Sequence, residues 1–461
     1  MILRLILILL IFSCCKKEEN FNKRPNILFI MLDDLGKEWI SGYGASKIKT
    51  PSIDKLISTG LSFKNVYSMP QCTPTRVTLL TGQYPWRHGW INHFDVPRWG
   101  HGARFDPNLN PSFPKMLRNA GYSTCAAGKW QINDFRLEPD AMVKAGFDEY
   151  CMWTGGEGGN IKLSDNRYWD PYIHTKSGSK VYKNKFGEDI FTDFIIDFMK
   201  KNKEKPMMIY YPMCLPHGPL TSTPLEPNAP KSEQHKSMVR YTDHILNVLV
   251  KALDEIGIRK NTIIIWTTDN GTSGSIVGDL NGKMVRGGKS MLSENGVNAP
   301  FVINAPGIVP KGITSHALID FSDLLPTLCD LAQISPDKNY EYDGISFAPE
   351  IFGLENANLF KEKLSSETGL LSGVIILFIA GFTPLPFKII TISSGFVHFN
   401  ILLFIITCFI SRGLRFFLVA YLSYKYGAAI RPMLEKKGTQ WSIIITGVVL
   451  LITLGIYFIN K

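Results

Sequence analysis

No disulfide framework is written into this sequence. Its eight cysteines among 461 residues follow no paired spacing: Cys14 and Cys15 close an apolar leader, Cys408 sits in an apolar run, and Cys125, Cys151, Cys214 and Cys329 stand apart. A chain this long can instead be held by a hydrophobic core, in one large domain or several smaller ones. No two histidines have the helical spacing of a zinc site, so His88, His93, His101, His174, His235, His244, His316 and His398 are read as structural or exposed. A nucleic-acid footprint is also missing. Of the formal net charge of +10, an excess of +7 lies from residue 361 onward, among apolar runs where it reads as membrane topology.

The first residues, "MILRLILILLIFSCC", combine one early arginine with an apolar run too short to span a bilayer comfortably, the pattern of a signal peptide. Ile11-Phe12-Ser13-Cys14 resembles a bacterial lipobox, which implies cleavage after residue 13 and lipidation of Cys14. An ordinary secretory signal is the alternative, and either carries the residues beyond it across the inner membrane.

From about residue 25 to 350, short β-rich runs alternate with helical patterns, which predicts an α/β fold. Four runs end in chemically useful groups: "NILFIML" in Asp33 and Asp34, "TCAAG" in Lys129, "MMIYYPM" in a loop bearing His217, and "TIIIWTT" in Asp269 and Asn270. In an open parallel sheet the carboxyl ends share one rim, so these groups are expected to converge. Each Asp or Asn alone reads first as a helix cap or turn residue, and it is the set of four that points to a site. Together, Asp33, Asp34, Asp269 and Asn270 form an all-oxygen donor set suited to Ca²⁺ or Mg²⁺. Arg76, Lys129, His217 and Lys289 suit a tetrahedral oxyanion, sulfate or phosphate.

The stretch "CTPTRVTLLTG" at 72–82 resembles the signature of the formylglycine-dependent sulfatases, members of the alkaline phosphatase superfamily. "RPNILFIMLDDLG", "AGKWQIN", "LPHGP", "TTDNG" and "GGKSMLSENGVNAP" stand in that family's order. The resemblance implies a large mixed, mostly parallel sheet flanked by helices. It implies that a formylglycine-generating enzyme converts Cys72 to formylglycine, whose hydrate is the nucleophile, and that Ca²⁺, or Mg²⁺, is held by Asp33, Asp34, residue 72, Asp269 and Asn270. It further implies that Arg76 holds the formylglycine, Lys129 and Lys289 neutralise sulfate oxygens, and His217 protonates the departing alcohol. Two positions depart from the pattern: Gln131 stands where many members carry histidine, and Asn298 where arginine is common. The aromatic-rich segment from Gly146 to Tyr172 has sugar-stacking residue types, although such stripes more often pack.

After a polar bridge at 354–368 the chain turns apolar. "GFTPLPFKIITISSGF" and "SRGLRFFLVAYLSYKYG" are similar to the C-terminal half of the DedA-like, VTT-domain membrane proteins, associated with lipid movement across bilayers. Pro384 and Pro386 predict a broken or re-entrant hairpin. Arg412 and Arg415, three apart on the next helix, are candidates for an anionic lipid headgroup or for snorkelling to an interface.

The expected organisation is a lipoprotein-type signal at 1–14, a catalytic domain at 25–353 without the family's smaller C-terminal sheet, a linker at 354–368 and a partial membrane segment at 369–461. The expected function is hydrolysis of sulfate esters of a carbohydrate, small molecule or other exported substrate, at the outer face of a bacterial inner membrane, with membrane lipid but no nucleic acid as partner. The alternatives are a phosphonate or phosphate ester hydrolase with the same rim, and an inactive module fused to a transport-type segment.

Overall fold

A computed structural model describes residues 24–91, 104–153, 166–351, 402–418, 420, 421, 424 and 425. The chain divides into two units, one from Phe21 to Gly353 and one made of the two ends, Met1–Asn20 and Leu354–Lys461. The expected leader with Cys14, the linker at 354–368 and most of the apolar C-terminal runs lie outside the described residues.

Twelve strands occur among the described residues: β1 (Asn26–Leu32), β2 (Leu61–Tyr67), β3 (Ser123–Lys129), β4 (Glu149–Trp153), β5 (Tyr172–Thr175), β6 (Gly178–Val181), β7 (Met207–Pro212), β8 (Thr262–Thr268), β9 (Val277–Leu280), β10 (Lys283–Arg286), β11 (Phe301–Asn304) and β12 (Ile313–Asp320). Ten form one sheet in the order β12-β2-β11-β8-β1-β7-β3-β4-β5-β6, and β9 and β10 form a separate hairpin. From β8 through β1, β7 and β3 to β4 every pairing is parallel. β11 runs antiparallel to β8 and β2, and β5 antiparallel to β4 and β6. The mixed α/β architecture expected from the alternating pattern is thus present.

The central strands read as continuous apolar runs because helices cover both faces of the sheet. Every residue of β1, β7 and β8 is buried. Helices Gly187–Asn202 and Gln234–Ile256 bury Phe191, Ile195, Ile245 and Leu249 in the same core as Leu28, Ile30, Ile209 and Trp266.

One carboxylate lies inside that core. Glu188, fully buried in the first turn of Gly187–Asn202, accepts from the Tyr211 hydroxyl at 2.5 Å and the Cys214 amide at 2.7 Å, and so pins the chain where it leaves β7. Burial pushes its pKa up from the usual 4.5 to about 7, although those two donors oppose the shift. The folded state therefore holds a proton that the unfolded state releases. The stabilisation is complete below about pH 4.5 and is lost as pH rises through about 7, a change of roughly 3 kcal/mol at 1.36 kcal/mol per pKa unit. Glu188→Gln removes the titration while keeping an acceptor for Cys214. The stability gap between wild type and variant, from urea unfolding at several pH values, is expected to move against the wild type between pH 5 and 8; a flat gap would show that Glu188 stays ionised in the core.

Among the described residues no helix is long and apolar enough to cross a membrane. Residues 402–418, which include Arg412 and Arg415, are helical. The remainder of the crossing segment expected there lies outside the described residues.

Candidate functional site

The four strands whose carboxyl ends carry the chemistry-bearing groups are neighbours, in the order β8-β1-β7-β3. Their parallel register brings Asp269 and Asn270, Asp33 and Asp34, His217, and Lys129 to one rim. Two glycines allow the close approach. At Gly128, with φ +117°, a Cβ would lie 2.1 Å from the Pro212 carbonyl oxygen, and at Gly271 a Cβ would lie 1.8 Å from that of Asn295. Both distances are far inside contact, so only glycine lets β3 seat against β7 and the turn after β8 seat against the 288–296 loop.

Asp34 takes a left-handed backbone at φ 65°, an uncommon conformation that aspartate tolerates better than most residues. Its amide donates to Asp269 Oδ1 at 3.1 Å, and its carboxylate accepts from Asn270 Nδ2 at 2.7 Å. The side-chain hydroxyls of Thr268 and Thr272 accept from the next two amides, Leu35 at 3.2 Å and Gly36 at 2.9 Å. The turns after β1 and β8 thereby hold each other in register.

Cys72 is the first residue of the helix Cys72–Thr81, which is buried along its whole length and ends at Gly82 in a left-handed cap. That explains why "CTPTRVTLLT" shows little amphipathic pattern: a helix buried all round has no polar face. Cys72 is 2% exposed, and burial pushes its thiol pKa up although Lys129 and Lys289 oppose the shift. A buried neutral thiol is a poor thiolate nucleophile. One turn along the same face, Arg76 Nη2 donates to Asp269 Oδ2 at 2.7 Å and lies 3.6 Å from Asp33 Oδ1.

The two lysines lie on the carboxylates. Lys129 Nζ is 2.6 Å from Asp33 Oδ2, both side chains fully buried, and Lys289 Nζ is 2.7 Å from Asp34. His217 Nε2 is 3.5 Å from Asp34 Oδ2. Burial lowers the His217 pKa to about 4 against the pull of Asp33, which leaves the ring neutral near pH 7. Asp33 lies well below the usual carboxylate range: burial opposes its ionisation, but Lys129, His217, Arg76 and Lys289 all favour it. Burial and the Asp33 charge push Asp269 up to about 7.

The donor set fits a hard divalent cation. Ligand atoms of Asp33, Asp34 and His217 lie within 4.8 Å of one another, as do those of Asp33, Cys72 and Asp269. Asp33 Oδ1 and Asn270 Oδ1 are buried without a hydrogen-bond partner, an arrangement that is costly unless something else satisfies those oxygens. Arg76, Lys129 and Lys289 already match the three carboxylates in charge. A divalent cation would leave the site net positive, as an anionic substrate requires.

All the residues expected at the site come together here. Sequence reasoning missed the shell behind His217. Arg167 lies 4.0 Å over the Trp153 ring with Nη1 3.0 Å from His217 Nδ1, and the Tyr168 hydroxyl donates to the Cys214 and His217 carbonyls at 2.7 and 2.5 Å. Both residues belong to the aromatic-rich segment, whose composition held out only a stacking surface. Asn298 sits away from the rim groups, accepting from Lys37 Nζ at 2.7 Å and donating to Glu294 at 2.6 Å. Gln131 lies just past β3, 8% exposed and left-handed at φ 63°.

Comparison with known proteins matches residues 25–334 to the family model described as Sulfatase. N-acetylgalactosamine-6-sulfatase from Canis lupus familiaris is 27% identical over 360 residues, covering 71% of this chain and 66% of its own length, so the chain spans just under two thirds of that relative. An N-acetylgalactosamine-6-O-sulfatase from Bacteroides thetaiotaomicron is 28% identical, covering 70% of this chain and 76% of its own. Among solved structures, that of Ps i-CgsB in complex with k-i-k-neocarrahexaose superposes with a TM-score of 0.62 at 26% identity, over 72% of this chain and 77% of that one. The family match ends at residue 334, and the DedA-like reading of 369–461 rests on its residues alone.

Proposed function

The chain belongs to the sulfatase family, and from that premise we propose that its rim hydrolyses sulfate esters of a carbohydrate or other exported substrate. The observation that carries the reading is the convergence of Arg76, Lys129, Lys289 and His217 with an all-oxygen donor set around a buried, neutral Cys72. Asp33, Asp34, Asp269 and Asn270, with residue 72, would hold Ca²⁺ or Mg²⁺, which would supply Lewis-acid polarisation of the sulfate and of the nucleophilic oxygen. Conversion of Cys72 by a formylglycine-generating enzyme supplies that oxygen as an aldehyde hydrate.

The chain's own groups do the rest. Arg76, locked to Asp269, orients residue 72 from one helical turn away. Lys129 and Lys289 neutralise charge growing on the sulfate oxygens in a largely buried site, where such interactions are stronger than in water. His217 presents its ring to the leaving oxygen. Because the resting ring is neutral, it must first take a proton from water in the site; the negative charge growing on the leaving oxygen favours that uptake, and the ring then passes the proton to that oxygen.

The same proposal places the site on the extracytoplasmic side of a bacterial inner membrane, anchored by lipidated Cys14 and by a partial DedA-like segment in which Arg412 and Arg415 meet anionic headgroups. The names of the relatives point to glycan sulfates as the substrate class. The test is full-length protein co-expressed with a formylglycine-generating enzyme, residue 72 conversion checked by peptide mass spectrometry, and rates compared on matched aryl sulfate and aryl phosphonate esters. Faster sulfate turnover supports the proposal. Faster phosphonate turnover moves it to that ester class, and a converted but inert protein overturns it.

A further inference from the structure

The rim opposite the site carries a charge pattern that ester hydrolysis does not use. Because β1, β3, β7 and β8 run parallel, their amino ends share that rim. The segments entering them are tied together: the Ser123 amide donates to the Pro206 carbonyl at 2.9 Å, the Arg24 guanidinium to the Ala120 carbonyl, and Asn261 Nδ2 to the Arg24 carbonyl at 3.4 Å. Lys200, Lys201, Lys203, Lys205 and Lys260 stand exposed there, with Glu204 between them, Asp193 and Asp197 earlier on the helix that carries Lys200 and Lys201, and Asp254 and Glu255 on the helix beside them. The unit from Phe21 to Gly353 as a whole is nearly balanced, 37 lysines and arginines against 34 acids, so this is a local concentration and not a reflection of overall charge.

A groove of about 620 Å³ opens at the same end, between the last turns of helices Gly187–Asn202 and Gln234–Ile256 where they lead into β7 and β8. Lys200, Lys203 and Lys251 line it together with apolar residues that include Ile196 and Val248 and with the acids Asp193 and Glu255. Ammonium groups on long apolar stems, set among apolar side chains, match an acidic phospholipid, charged at the headgroup and apolar beneath it. Residues 1–23 join the described unit at Arg24, the entry to β1 at this rim.

We propose that this basic face docks on an acidic phospholipid bilayer. Docked so, the catalytic rim lies one strand-length away, roughly 20 Å for the seven residues of β1, and faces the water. The enzyme would then sit on the membrane yet draw its substrate from the aqueous side. The inference stands apart from the sulfatase reading, because vesicle binding is measured without turnover.

The experiment is flotation of the full chain with vesicles of phosphatidylcholine alone or with about 30 mol% phosphatidylglycerol, at about 50 and about 300 mM salt. Phosphatidylglycerol is expected to strengthen binding at least about tenfold at low salt, and most of that gain is expected to disappear at the higher salt. Lys200→Glu with Lys203→Glu and Lys205→Glu should abolish the gain, at about fivefold per lysine lost. A control with the same charge change, Lys49→Glu with Lys283→Glu and Lys338→Glu, should keep most of it. An unchanged melting temperature shows that each variant is folded. No gain from phosphatidylglycerol in the wild type, or equal loss in the control, overturns the proposal. So does displacement by inorganic phosphate at constant ionic strength, which would assign the face to the free anion.

Discussion

Cys72→Ser, produced where nothing oxidises the serine, is expected to release at most one equivalent of alcohol from an activated aryl sulfate and then stop. The substitution is nearly isosteric at a residue 2% exposed, and it leaves Arg76, Lys129, Lys289 and His217 in place, so binding and the first transfer retain their supporting groups. A serine oxygen that has taken the sulfuryl group has no second hydroxyl. It cannot expel sulfate by reforming a carbonyl, whereas the hydrated aldehyde carries the extra hydroxyl that this needs. Steady turnover should fall by at least about 10⁴, the scale of losing a covalent catalyst. Rapid-quench kinetics with mass spectrometry of the intact protein separates the outcomes. A burst with a gain of sulfate mass on residue 72 supports a covalent route through that side chain. Continuous turnover by the serine form would show that the second hydroxyl is unnecessary.

The site was legible because its groups lie at the ends of short apolar runs, and the topology of a parallel sheet does the rest. Asp33, Lys129, His217 and Asp269 are far apart in the chain, yet each closes or follows a strand that reads as buried, and buried parallel strands deliver their carboxyl ends to one rim. What supports those groups was not legible. Glu188 occupies a helix first turn, where an acid reads as an ordinary dipole partner, and only the fold shows it enclosed and holding the Cys214 amide. Arg167 touches His217 across fifty residues, with no periodicity or motif to join them. The clustered lysines at the opposite rim read as solvated segment ends, and became one face only once the strand order was known. The apolar C-terminal runs show the reverse limit: hydropathy marks them clearly, while their arrangement depends on packing that hydropathy does not encode.

Asp33→Asn is expected to destabilise the fold and to remove the response to Ca²⁺ together. Asp33 and Lys129 are paired at 2.6 Å with no exposure of either side chain. Neutralising the acid strands an ammonium where its desolvation is uncompensated, a loss of about 3 to 5 kcal/mol for a broken buried pair. The wild type should gain about 2.7 kcal/mol at Ca²⁺ one hundredfold above its dissociation constant, seen as a melting temperature raised by several degrees. The asparagine variant should show no such rise, because Asp33 Oδ1, a buried oxygen without a hydrogen-bond partner, loses its charge. The two effects separate in the double variant Asp33→Asn with Lys129→Met. Removing the stranded ammonium should restore much of the stability, since an apolar replacement of a buried pair is often tolerated, while the calcium response stays lost. A Ca²⁺ shift that survives Asp33→Asn would place the cation elsewhere, and a double variant no more stable than the single would trace the loss to packing and not to the unpaired charge.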